Sequence, residues 1–249
     1  MNKYKISFRQ KVIVIIICIM IFIAALLFFL LYNGILWFVY PSLSGYKVKG
    51  IDVAHYQGEI DWKIISEQDI KFAFIKATEG SSHVDEKFEK NVINAQENGV
   101  AVGAYHFFSS ESGGKTQAEN FINAVSVFQT DLPPVLDFEI PPEKKEQKEK
   151  IIAEAKIFLT ELENYFNIKP IIYTTYESFG VFLQDGFNEY PFWIRDLFGE
   201  PKIKDIEWIF WQYSDRGRLK GITGQQKFVD LNVFNGNEEE FEKYISGLK

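Results

Sequence analysis

The stretch PPVLDFE, residues 133–139, is a short apolar run that two prolines open and two carboxylates close. The prolines exclude a helix interior. A brief continuous apolar run between breakers reads as a strand buried on both faces, the kind a parallel sheet covered by helices provides. Taken as Pro134–Glu139, this strand has seven counterparts: Gly50–Val53, Phe72–Ala77, Val100–Phe108, Pro170–Thr174, Phe192–Arg195, Trp208–Tyr213 and Val229–Val233. Amphipathic stretches lie between several of them. Asp85–Asn98 carries Phe88, Val92 and Ala95 on one face, with Gly99 as its C-terminal cap. Lys115–Phe128 repeats Ala118, Phe121, Ile122, Val125 and Phe128 at helical spacing. Pro142–Phe166 opens on the charge run EKKEQKEK and continues with Ile151, Ile152, Phe158, Leu159, Leu162 and Phe166; a shorter helix is expected over Glu177–Gln184. Strands alternating with helices predict an α/β protein, here an irregular (β/α) TIM-like barrel with eight strands and fewer than eight helices. Residues 214–227 have no apolar period, so no helix should separate the last two strands.

Outward from the barrel, at residues 49–249, the chain changes character. Residues 1–46 carry Lys3, Lys5, Arg9 and Lys11 and no acid, so the head is +4 and the remainder −11. Val12–Tyr32 is uncharged and almost wholly apolar, and 21 residues at about 1.5 Å each span roughly a bilayer's hydrocarbon core. The expected organisation is a cytoplasmic basic tail (1–11), a transmembrane helix (12–36) and a linker (37–48). Trp37, Phe38 and Tyr40 would form an interfacial aromatic belt. Four cations before the helix predict a single-pass cell-membrane protein with a cytoplasmic N-terminus and an extracytoplasmic body. The alternative is secretion after cleavage near Ser44, although an h-region is usually shorter than this run. Cys18 is the only cysteine and three histidines lack metal-ligand spacing, so neither disulfides, metal nor cofactor is expected. The net charge of −7 argues against nucleic acid as a partner.

In a parallel barrel, chemistry gathers where the strands end. Reading each strand there gives Asp52, then Asp137 and Glu139, Tyr173, Trp193 and Arg195, Trp211, Gln212 and Tyr213, and Asp230 and Asn232; His106 either lines the mouth or is a core histidine. Residues i and i+2 of a strand share a face, so Asp137 and Glu139 point together while Phe138 points into the layer between barrel and helices. Two carboxylates in a partly dry cleft repel, which holds a proton on one of them. Such an acid can protonate a glycosidic leaving oxygen, and aromatic faces suit sugar rings. A lone D-x-E more often caps a helix; the joint placement of four acids is what raises its weight. The SGGKT of residues 112–116 resembles the tail of a phosphate-binding loop, but Ser109 stands where its first glycine belongs.

The blocks GIDVAHYQGEIDW, FAFIKATEGSSHVDEKFEKN, GVAVGAYHFF, LPPVLDFE, PIIYTTYESF and PFWIRDL, with the stretch from IFWQY to VFNG, together resemble glycoside hydrolase family 25, the N,O-diacetylmuramidase type of lysozyme, from about Lys49 to Gly236. The resemblance implies cleavage of the β-1,4 bond between N-acetylmuramic acid and N-acetylglucosamine in peptidoglycan. It implies Glu139 as general acid, with Asp137, Asp52 and Asp230 as the other catalytic acids. Tyr173, Trp193, Arg195, Trp211, Gln212, His106 and Tyr105 are then expected to bind substrate. Ala54 replaces the Ser common after Asp-Val, and Arg195 replaces a small residue. A catalytically inactive, membrane-tethered peptidoglycan-binding module is the alternative, and no membrane protein partner is identifiable.

Overall fold

The computed structural model describes residues 7–33, 35–36, 41–204, 206–224, 226 and 228–248. The expected aromatic belt at Trp37, Phe38 and Tyr40 lies outside the described residues, as do Lys3 and Lys5. The chain divides into two units, residues 1–40 and 41–249. The first contains one helix, α1 (Phe8–Tyr32), with no buried residue. It starts earlier than Val12 because Ser7 and Gln10 form a capping box that satisfies its first amides. It closes at Asn33, whose side-chain amide donates to the Phe29 carbonyl at 2.8 Å.

The second unit is the barrel. Its strands are β1 (Lys49–Val53), β2 (Ile70–Glu79), β3 (His83–Val84), β4 (Ala101–Phe107), β5 (Val135–Phe138), β6 (Ile171–Thr175), β7 (Phe192–Arg195), β8 (Trp208–Gly217) and β9 (Val229–Phe234). All eight expected strands are present, and β3 adds a short antiparallel flap on β2. The order β1-β9-β8-β7-β6-β5-β4-β2 closes through the β1–β2 pairing. Every pairing in the ring is parallel except those of β9, which runs antiparallel to both β8 and β1. The missing helix explains this: a strand that returns directly must run antiparallel, because a parallel return needs a crossover.

Helices α2 (Trp62–Ser66), α3 (Phe88–Glu97), α4 (Gly114–Val125), α5 (Lys148–Phe166), α6 (Tyr176–Ser178) and α7 (Glu238–Ser246) belong to this unit. Strand alternation divides the apolar residues into two layers. Ile51, Ala73, Ile75, Val102, Leu136, Phe138, Ile172 and Ile194 face outward against Phe121, Phe158, Leu162 and other helix residues. Phe72, Phe74, Val135, Ile171, Tyr173, Trp193, Phe210 and Phe234 face inward. Phe74 stacks on Trp193 with centroids 4.5 Å apart, and Phe241 of α7 packs on Phe72 and Phe234 at 5.7 and 5.2 Å. The inner layer is thus a floor of aromatic rings beneath the mouth. Part of the expected linker belongs to this unit: Leu43 and Tyr46 pack on the outer core, and Val48 is buried in the inner one.

Candidate active site

The inward positions above the aromatic floor are polar. Asp52 is one residue from the end of β1, and its register partner on β9 is Asp230. Asp230 was expected at a strand's C-terminal end. It lies near the start of β9, and reaches the mouth because β9 runs the opposite way. Gln212 pairs with Asn232 in the same manner, and Tyr173 with Asp137. Asp52, Asp230, Gln212, Tyr173 and Asp137, with Glu139, Tyr105, Trp193, Tyr56, Lys76, Glu79 and Phe107, line a cavity of about 330 Å³. That is near the lower end of the range for small-molecule sites.

A continuous hydrogen-bond chain fixes one wall. The Tyr173 hydroxyl donates to Gln212 Oε1 at 2.8 Å, and Gln212 Nε2 donates to Asp52 Oδ1 at 3.1 Å. Asn232 Nδ2 donates to the same oxygen at 2.7 Å, while Asn232 Oδ1 accepts from Trp193 Nε1 at 2.9 Å. Asp52 and Asp230 hydrogen-bond each other, an arrangement that needs one shared proton. Tyr173 also hydrogen-bonds Glu139. Asp137 differs from the others: its Oδ1 is buried without a hydrogen-bond partner among the described residues.

All four acids hold their protons more tightly than free carboxyls do. Burial is the main cause in each case. Asp230 is pushed up to about 9 by burial and then by the Asp52 charge. Asp137 is raised well above the ordinary range by burial, then by Glu139 and Asp52. Glu139 is raised by burial and Asp52, against the pull of Arg195. Asn232 and Gln212 partly offset the rise at Asp52. The site therefore keeps protons at neutral pH, as an acid catalyst requires.

Two expected substrate contacts are absent from the cavity. His106 points outward, between Tyr105 and Phe107, which point in. It stacks on Phe158 at 4.7 Å and bonds Thr78 Oγ1 and Gln117 Oε1 at 2.7 and 3.1 Å. Burial lowers its pKa to about 4, so it is a neutral core histidine. Trp211 also points outward, against Tyr46, and donates from Nε1 to the Asp196 carbonyl at 2.7 Å. Both follow from the period of two: in each strand the neighbouring residue took the inward position. Arg195 is at the rim rather than in the cavity lining, paired with Asp215 at 3.1 Å.

Four lining residues were not anticipated. Lys76 and Glu79 end β2, where an inward Lys two residues beyond Phe74 was the available signal. The Lys76 ammonium, 5% exposed, lies 2.6 Å from Glu79 Oε2 and 5.2 Å over the Phe107 ring. Phe107 shares its face with Tyr105. Tyr56 comes from the turn after β1 and carries no periodic signal.

With this geometry in view, comparisons with known proteins agree with one another. The family described as "Glycosyl hydrolases family 25" matches residues 51–222. "Uncharacterized protein YegX" of Escherichia coli O157:H7 is 38% identical over 212 residues, covering 83% of this chain and 76% of that protein. "Lysozyme M1" of Streptomyces globisporus is 33% identical over 205 residues, covering 76% and 68%. The structure of a family 25 glycosyl hydrolase from Bacillus anthracis is similar at a TM-score of 0.73 with 47% identity, covering 80% of this chain and 94% of that one.

Proposed function

This chain belongs to glycosyl hydrolase family 25 and is a glycoside hydrolase of the lysozyme type, and from that premise we propose that it is a muramidase with Glu139 as its general acid and base. Its substrate is peptidoglycan, the bond cleaved being the β-1,4 link from N-acetylmuramic acid to N-acetylglucosamine. The observation that carries the assignment is the mouth itself: four carboxyls whose hold on a proton is raised by burial, over an aromatic floor, in a cavity of about 330 Å³.

The division of labour follows from the partners. Glu139, on the same face as Asp137, protonates the leaving oxygen. Asp137 presents an oxygen with no partner, which suits the N–H of a substrate 2-acetamido group. That N–H stabilises the Asp137 carboxylate, so binding moves the pair's proton toward Glu139, where it is needed. The acetamido oxygen then attacks its own anomeric carbon, an exception to the two-carboxylate scheme. Glu139 next takes a proton from the water that opens the intermediate. Asp52 and Asp230 anchor the wall that holds Tyr173 and Gln212 in place.

The test is clearance of purified cell walls by the full chain in detergent. Glu139→Gln should cut the rate by at least about 10²–10⁴-fold, as loss of an acid–base group does, with a melting temperature no lower than that of the wild type. Undiminished lysis removes Glu139 from the role. Proton NMR of the first-formed anomer should show β product, and an α product would rule out acetamido participation. Wall binding without released muropeptides by the wild type would favour a tethered binding module.

A further inference from the structure

The acid pocket is overlooked by a basic ridge. Past Gln212, β8 continues through Ser214, Asp215, Arg216 and Gly217 beyond the level of the four acids. Asp215 takes Arg195 Nη2 on one oxygen at 3.1 Å and faces Arg216 Nε with the other at 3.7 Å. The guanidinium groups of Arg216 and Arg218 lie 5.8 and 5.1 Å from the Phe228 ring centre. Two arginines thus share the Asp215 carboxylate and a third lies over the Phe228 ring beside Arg216, a basic ridge on a body that as a whole is strongly acidic.

Arg195 is the member nearest the chemistry. It is two residues along β7 from Trp193, so it shares the inward face, and its strand partner is Gln212, which holds Asp52. Its charge is felt by Asp52, Glu139 and Asp230. The other cation at the mouth, Lys76, is buried and matched by Glu79 at 2.6 Å. The Arg195 side chain is 34% exposed and commits one nitrogen to Asp215, so part of its planar fork still faces solvent. A guanidinium fork is the side chain best shaped to take a carboxylate in two bonds.

Whatever charge the four acids carry disfavours an anionic polymer unless something beside them compensates. We propose that Arg195, at the base of the basic ridge, receives a carboxylate carried by the glycan and thereby selects muramoyl chains over neutral N-acetylglucosaminyl ones. The inference rests on the muramidase reading and names the substrate feature that the site discriminates. On a muramoyl residue that carboxylate is either the free lactyl group or a carboxylate of the stem peptide.

Calorimetric titration of the full-length Glu139→Gln chain in detergent decides it, with three tetrasaccharides. One is peptide-free and muramoyl-containing, one bears stem peptides, and one is a neutral N-acetylglucosamine tetramer. Adding Arg195→Gln should weaken a carboxylate-bearing chain by about tenfold, the scale of a charge-assisted pair, and leave the neutral tetramer within about twofold. Arg195→Lys should recover part of the loss. Weakening confined to the peptide-free chain assigns the lactyl group, and weakening confined to the peptide-bearing chain assigns the stem peptide. An unmoved preference, or equal weakening of the neutral chain, overturns the proposal while wild-type wall clearance leaves the muramidase reading standing. Intact walls with the wild type, and no binding of any chain, sink both.

Discussion

At Asp230, burial and a neighbouring charge oppose ionisation strongly enough to make the residue costly. In the unfolded chain its carboxyl ionises near 3.8, and in the fold at about 9. Between those values the folded state keeps a proton that the unfolded state has released. Stability from this group is therefore complete below about pH 4 and declines as pH rises toward 9. Asp230→Asn removes the penalty, so it should melt higher than the wild type at pH 8, with the gap closing toward pH 4. Each kcal/mol recovered is worth roughly 2–4 °C in a domain of this size. Differential scanning calorimetry across that range checks it, and a gap independent of pH would refute the shared proton with Asp52. The acids themselves were legible as residue types at strand ends. That Asp230 comes near the start of its strand was not, because polarity of a strand depends on its connection. His106 and Trp211 were misplaced for a related reason: each has an aromatic neighbour, and composition does not say which of two adjacent rings faces inward.

The strands were more legible than the helices. Eight apolar runs became the eight barrel strands, because burial on both faces leaves a continuous apolar signature. Helix α2 has five residues, too few for a period to show. Helix α7 was legible but unread: Asn237 and Glu240 form a capping box ahead of Phe241, whose ring closes the barrel floor. The inner layer also explains two glycines that a strand would otherwise do better without. A Cβ on Gly103 would come within 2.5 Å of the Phe74 ring, and one on Gly50 within 2.3 Å of Phe72. Phe74 cannot swing away, because it stacks on Trp193 on its other side. Gly103→Ala should therefore destabilise by about 1–3 kcal/mol, the usual cost of overpacking a filled core. A denaturant midpoint equal to that of the wild type would mean that the aromatic layer has slack.

Over the whole molecule, two units of opposite character share one chain. Helix α1 has 25 residues, a mean hydropathy of 3.5 across its most apolar window and no buried side chain. At about 1.5 Å per residue it is roughly 37 Å long, enough to cross a hydrocarbon core of about 30 Å with some tilt. Arg9 and Lys11 occupy its first turns, where the helix dipole disfavours cations. Local helix stability does not account for them; the proposed cytoplasmic placement of the N-terminus would. The proposed topology keeps the barrel outside the cytoplasm, against the wall, and ties hydrolysis to the membrane surface rather than to the medium. The full chain should then sediment with membranes, stay there through high salt and leave only with detergent. Protease added to spheroplasts should remove the barrel and spare an epitope placed before Ser7. A soluble chain recovered from the medium, beginning near Gly45, would identify the apolar helix as a cleaved signal. Tyr46 and Val48 pack within the barrel unit and are kept in such a product, so it should still fold and clear walls at the wild-type rate in solution. Clearance assays alone would not separate the two topologies, whereas fractionation does.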